Sequence, residues 1–205
     1  MIVVDVETSG MDPEKSSILS IGAVDFSNPE NQFYAECYMW EGAEIEEGDG
    51  KNLKCALEVN GFSREEVHDK TKNSEKQLLE KFFTWIDSCE EQTFGGQNPF
   101  FDNKFIAAAA KRGNLSWWLW DRLIDLHTLG YTHYLKRGLT PPLRNKKTSI
   151  RLDSILVYVG LPEEPKPHHA LTGAKVEAEA FSRLLFGKNL LKDFTQYPIP
   201  QYLKE

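Results

Sequence analysis

Three apolar runs near the start of the chain have the length and density of buried strands: Ile2 to Glu7, Ile18 to Phe26 and Gln32 to Trp40. They are separated by the turn clusters Gly10-Met11-Asp12-Pro13 and Ser27-Asn28-Pro29. Connections this short favour antiparallel neighbours, so residues 1 to 40 are expected to form a meander. The stretch Glu41 to Lys54, rich in acids and glycine, reads as an exposed loop. Beyond it the period changes. Ser63-Arg64-Glu65-Glu66 and Ser74-Glu75-Lys76-Gln77 both have capping-box spacing, and the second opens a helix in which Leu78, Leu79, Phe82, Phe83 and Ile86 recur along one face. Thr93 to Gly96 predicts a short buried strand breaking into a glycine turn. Phe101 to Arg112 is an alanine-rich helix closed by Gly113-Asn114, and Leu123 to Leu126 is a last strand. Helices at Leu152 to Val159 and Leu171 to Leu185 follow, then an extended or partly helical wrap over 187–205. Strands first, then alternating helices and strands, predict an α/β sheet with helices on its faces.

Composition narrows this picture. At 205 residues and 40% hydrophobic content the chain can bury one good core, and a single domain over 1–205 is the simplest count. A net charge of -7 and a pI near 5.3 argue against coating nucleic acid or anionic membrane through bulk electrostatics. A polyanion would have to be met by a local basic patch or by metal ions. Cys37, Cys55 and Cys89 show no CxxC spacing, so neither a disulfide framework nor a zinc cluster is expected, and reduced cytoplasm fits best. The first strand begins at residue 2, leaving no room for a signal peptide. No apolar stretch approaches the roughly 18 residues of a membrane span, so no membrane association is expected.

The candidate chemistry starts at Asp5-Val6-Glu7. In a strand, side chains two apart share a face, so both carboxylates project into one spot at the strand's C-terminal end. Two close carboxylates raise each other's pKa unless a cation screens them, and the arrangement implies a hard divalent cation, most simply Mg²⁺ or Mn²⁺; a solvated acidic turn is the bland alternative. Asp102, at the start of the alanine-rich helix, offers a third carboxylate. His168 and His169 open the last long helix with imidazoles that titrate near neutrality. Positive charge is concentrated over 134–151, in Lys136, Arg137, Arg144, Lys146, Lys147 and Arg151. That segment reads equally as a phosphate-contacting loop or as an ordinary solvated one. Trp117, Trp118 and Trp120 are expected to pack a helix end or an interface, and His68, His127 and His133 to be structural.

Asp5-Val6-Glu7-Thr8-Ser9-Gly10, Asn98-Pro99-Phe100-Phe101-Asp102 and His168-His169-Ala170-Leu171, in this order, resemble the three motifs of the DEDD exonucleases, in the branch with a catalytic histidine, of the ribonuclease H-like superfamily. The resemblance runs from the first strand to about Leu185. It implies a mixed five-stranded sheet flanked by helices and a metal-dependent 3′-5′ exonuclease that hydrolyses phosphodiester bonds at single-stranded DNA or RNA ends. Two ions would clamp the scissile phosphate. By the same resemblance Asp5 bridges both ions, Glu7 holds the nucleophile-side ion, Asp102 serves the other, and His168 is the general base. Thr8 and Ser9 lie where the family holds the terminal 3′-hydroxyl, Met11 where an apolar side chain wedges the last base, and Asn98 within the second motif. Phe101 offers either stacking or core packing. A homodimer or a polymerase partner is left open.

One motif position departs from the family. Where the third motif places an aspartate, five residues after the histidine, this chain has Gly173. Glycine has no side chain to ligate a metal, and the loss falls on the nucleophile-side ion. Glu177, one helical turn further on, is the candidate surrogate, its longer arm returning a carboxylate to the site, with Glu179 the solvent-facing acid beside it. The competing readings are a catalytically impaired domain that binds nucleic acid or a protein, and an inactivating substitution.

Overall fold

Alternation along the first strand decides the layering. In β1 (Ile2–Thr8) the side chains of Ile2, Val4 and Val6 enter one hydrophobic core, while Met1 and Val3 enter another on the opposite face. Asp5 and Glu7 continue the second face beyond its apolar part. The computed structural model describes residues 1–50, 54–119 and 121–204. Part of the expected 41–54 loop, and Trp120, therefore lie outside the described residues.

The chain proceeds through β2 (Ile18–Asp25), β3 (Gln32–Glu36), α1 (Ala56–Asn60), α2 (Glu75–Ile86), β4 (Phe94–Gly96), α3 (Phe100–Arg112), β5 (Leu123–Asp125) and α4 (Leu126–Lys136). A hairpin of β6 (Leu143–Arg144) and β7 (Lys147–Thr148) precedes α5 (Leu152–Tyr158) and α6 (Ala170–Phe186). The main sheet has the order β3-β2-β1-β4-β5, with β1, β2 and β3 antiparallel and β4 and β5 added in parallel. This is the expected meander extended into a mixed five-stranded sheet. The core containing Leu78, Phe82 and Phe105 packs α2 and α3 on one face, and that containing Leu126, Ile155 and Phe181 packs α4, α5 and α6 on the other. Ser74 caps α2 in the predicted capping box, its side chain accepting from the Gln77 N–H while Gln77 accepts from the Ser74 N–H.

The long helix α6 lies directly on the sheet. Gly22 pairs across the ladder with Asp5, and a methyl group at Gly22 would fall 2.2 Å from the backbone of Ala170 and Leu171. Only a residue without a side chain admits this approach.

Three expectations are corrected. The third strand ends at Glu36 rather than Trp40, because the chain leaves the ladder. Cys37 forms an isolated bridge with Asn73, and the N–H groups of Tyr38 and Met39 donate to the carbonyls of Asn73 and Val67. The described part of the 41–54 loop is not free: Glu44 and Glu46 N–H groups bond Lys15 and Ser9 carbonyls, and Ala43 and Ile45 pack beside Leu19 and Met39. The basic segment contains the β6–β7 hairpin, whose central Asn145 and Lys146 both have positive φ, as a two-residue turn requires. After α6, single helical turns at Lys192–Phe194 and Gln201–Leu203 carry the tail over the second core, where Leu203 is buried.

Candidate active site

At the C-terminal end of β1 the structure gathers five carboxylates. Asp5 and Glu7 come from the strand, Asp102 from the first turn of α3, Glu177 from the middle of α6, and Glu164 from the segment joining α5 to α6. Glu7, Asp102, Glu164 and Glu177 are all buried, and Asp5 is half-buried.

Burial and mutual repulsion act together on these groups. Loss of solvent, then the charges of Glu177, Glu7, Asp102 and Glu164, push the Asp5 carboxyl well above its ordinary range. Burial, then Glu164 and Asp102, push Glu7 up to about 8. Burial lifts Asp102 to about 7 against the opposing effect of the Val6 N–H, which donates to Asp102 Oδ1 at 3.0 Å. Burial followed by Asp102 raises Glu177 well above normal, although the Gln97 N–H donates to its Oε2 at 3.1 Å. Glu164 is pushed up to about 7 by burial and Asp153, with Lys166 opposing.

Among the described residues no three His, Cys, Asp or Glu side chains are already closed into a ligand set. Asp102 and Glu177 are instead turned to backbone amides. The donor chemistry nevertheless fits a hard divalent cation: every side chain is a carboxylate, their charges oppose one another, and Glu164 Oε1 is buried with no hydrogen-bond partner among the described residues.

His168 joins the cluster through Glu164, its Nδ1 standing 3.3 Å from Glu164 Oε2. Its backbone N–H is anchored to the Val59 carbonyl at 2.9 Å. Burial and Lys166 hold its imidazole below the usual histidine range. His169 stacks on Tyr34 with ring centroids 4.4 Å apart, a packing contact.

The predicted substrate residues divide. Thr8 Oγ1 donates to the Gly10 carbonyl at 2.7 Å, and the Thr8 carbonyl accepts from Asn60 Nδ2 at 3.0 Å. Ser9 is wholly buried: its hydroxyl donates to the Glu44 carbonyl and accepts from the Ser17 N–H, and its own N–H bonds the Ser17 carbonyl. Met11 is 61% exposed, with its N–H on Glu46 Oε2. Asn98, exposed and at positive φ, donates its N–H to Asp125 Oδ1. Phe101 is half-buried, packing on Phe105 and the first core, whereas Phe100 is exposed with the Lys104 ammonium 5.1 Å above its ring.

Sequence reasoning missed Glu164 and misplaced Glu179. Glu164 is embedded in Leu161-Pro162-Glu163-Glu164-Pro165-Lys166-Pro167, four residues before His168. An acid in a proline-stiffened lead-in to the motif histidine was the available signal. Glu179 is not solvent-facing: it is completely buried and paired with Arg183 at 2.8 Å.

The sheet topology is that of the ribonuclease H-like fold. The chain superposes on Exonuclease I of Escherichia coli, solved in complex with a dA16 oligonucleotide, with a TM-score of 0.67 over 90% of this chain and 40% of that one, at 17% identity. Residues 1–185 match the model of the Rv2179c-like 3′-5′ exoribonuclease domain, and the chain belongs to that family. It is 38% identical over 109 residues to the 3′-5′ DNA exonuclease Cap18 of Escherichia coli, covering 51% of this chain and 54% of that protein. It is 30% identical over 128 residues to Ribonuclease T of Marinobacter nauticus, covering 56% and 54%. The chain spans about half the length of these relatives.

Proposed function

We propose that this chain is a 3′-5′ exonuclease of the DEDDh type, dependent on Mg²⁺ or Mn²⁺ and acting on single-stranded nucleic-acid ends. The observation that carries the reading is the convergence of Asp5, Glu7, Asp102 and Glu177 with His168 at the end of β1. Family membership and relatives described as DNA and RNA exonucleases support it. The four carboxylates would hold the ions, of which two are proposed. Divalent cations in such a site polarise the phosphate and make bound water more acidic. His168, kept neutral near pH 7 by its depressed pKa, is the group able to accept the water's proton. Met11 and Phe100, both exposed, would offer apolar faces to a terminal base, with Thr8, Asn98 and Phe101 as further substrate-side residues.

The test is incubation of the full chain with 5′-labelled single-stranded DNA and RNA in Mn²⁺ or in EDTA. Stepwise shortening from the 3′ end in Mn²⁺, abolished by EDTA and by Glu7→Gln, is expected. Retention of the intact strand on the protein without shortening would instead identify a binding module. Shortening by Glu7→Gln at the parent's rate would remove the carboxylate cluster from the chemistry.

A further inference from the structure

Gly173 leaves a space in α6, and two carboxylates fill it. A methyl group at Gly173 would fall 2.0 Å from Asp5 Oδ2 and 3.2 Å from Glu164 Oε1. The volume that a side chain at 173 would need is therefore already taken by Asp5 and Glu164. Glu177, although its charge acts on Asp5, does not enter that space: its Oε2 lies beside Gly96, where a methyl group would be 3.2 Å from it, and is tied to the Gln97 N–H.

Glu164 is held in this position from both ends. Its backbone N–H donates to Asp153 Oδ1 at 3.1 Å, fixing the segment to α5, and the His168 N–H fixes the following stretch to Val59. Three prolines within Pro162–Pro167 restrict the backbone between these anchors. The side chain, only 7% exposed, divides its two oxygens: Oε2 meets His168 Nδ1 at 3.3 Å, and Oε1 has no donor among the described residues. A buried carboxylate oxygen without a donor is costly. Beside Asp5 and Glu7, the neighbour that would offset that cost is a cation.

We infer that Glu164 supplies the carboxylate that Gly173 cannot, completing with Asp5 and Glu7 the ligand set on the His168 side, while Glu177 faces Asp102 on the other. This rests on the reading of the chain as a cation-dependent nuclease. It gives one side chain two tasks: Oε1 addresses the cation and Oε2 orients the imidazole. The ligand has moved from the helix to the loop that leads into it, and glycine at 173 is what admits it.

Titration calorimetry with MnCl₂ on the full chain tests this without reference to catalysis. Glu164→Gln is expected to lower Mn²⁺ affinity at least about tenfold, and to shrink the rise in unfolding temperature that Mn²⁺ gives the parent, with the circular dichroism spectrum preserved. Glu177→Gln is expected to lower affinity less. Mn²⁺ binding by Glu164→Gln as tight as the parent's would overturn the inference and leave the nuclease reading standing. A parent that binds no Mn²⁺ would overturn both. If Glu164→Gln does not fold, Glu164→Asp, one methylene shorter but still charged, should bind more weakly; unchanged binding by that variant would overturn the inference equally.

Discussion

Helix α6 buries two acids, two residues apart, in opposite surroundings. Glu179 is matched on every side: Arg183 Nε bonds its Oε1 at 2.8 Å, and the N–H groups of Leu190 and Leu191 bond its Oε2 at 2.8 and 3.0 Å. Arg183 in turn reaches the carbonyls of Val159, Phe194 and Tyr197 and the Asn189 side chain, stitching the tail to the helix. Glu177 has one amide, from Gln97, and otherwise faces Asp5, Asp102 and Glu164. The fold can neutralise a buried carboxylate completely, and near the tail it does. At the end of β1 it brings five together and, among the described residues, no basic side chain closes on them through an ion pair or hydrogen bond, apart from the imidazole of His168. The first arrangement is scaffold. The second leaves buried like charges without that compensation, which is costly to the fold.

The contrast can be broken most forcefully at Arg183. Arg183→Ala strands Glu179 in a dry site, and a loss of about 3–5 kcal/mol in urea unfolding is expected; a loss within the error of the measurement would mean that the pair does not hold the tail. The opposite sign is expected in the carboxylate cluster. Glu7, at about 8, and Asp102 and Glu164, at about 7, keep protons in the native protein that the unfolded chain releases at its ordinary carboxylate pKa near 4. Without a divalent cation, stability should be greatest at mildly acidic pH and fall as pH rises from about 4.5 through about 8, by at most roughly 1.4 kcal/mol per pH unit for each such group. Melting curves across that range check the slope, and Mn²⁺ at pH 8 should recover much of the loss. Glu7→Gln should raise the cation-free stability at pH 8.5 by on the order of 2 kcal/mol; a decrease would show that the cluster is not repulsive. The smallest effect belongs to the solvated pair Lys192–Glu30, where Lys192→Ala should leave the unfolding midpoint unchanged within error.

Much of the fold was legible because period and punctuation agreed. The apolar run of β1, the capping box at Ser74 and the glycine turn after Phe94 each carry their own local instruction. The motif order of Asp5, Glu7, Asp102 and His168 pointed to residues that the fold does bring together, and Gly173 to the irregular position beside them. What escaped depends on contacts distant in sequence. Nothing local distinguishes Glu179 from a surface acid, since its burial follows from Arg183 and from a tail that folds back over α6. Glu164 was missed for a related reason. Its reach into the site depends on where the Asp153 and Val59 anchors place the loop, not on any helical or strand period. The early end of β3 reflects a partner, Asn73, some forty residues away.

The bare α-carbon at Gly22 has a consequence for how such a centre tolerates change. Because the opening turn of α6 rests on that point of β2, opposite Asp5, one added methyl would wedge the helix off the sheet. Gly173, carried on the same helix, would swing away from the carboxylates that crowd against it. The sensitivity of the carboxylate cluster to substitution thus extends to a position on the neighbouring strand that carries no functional group at all.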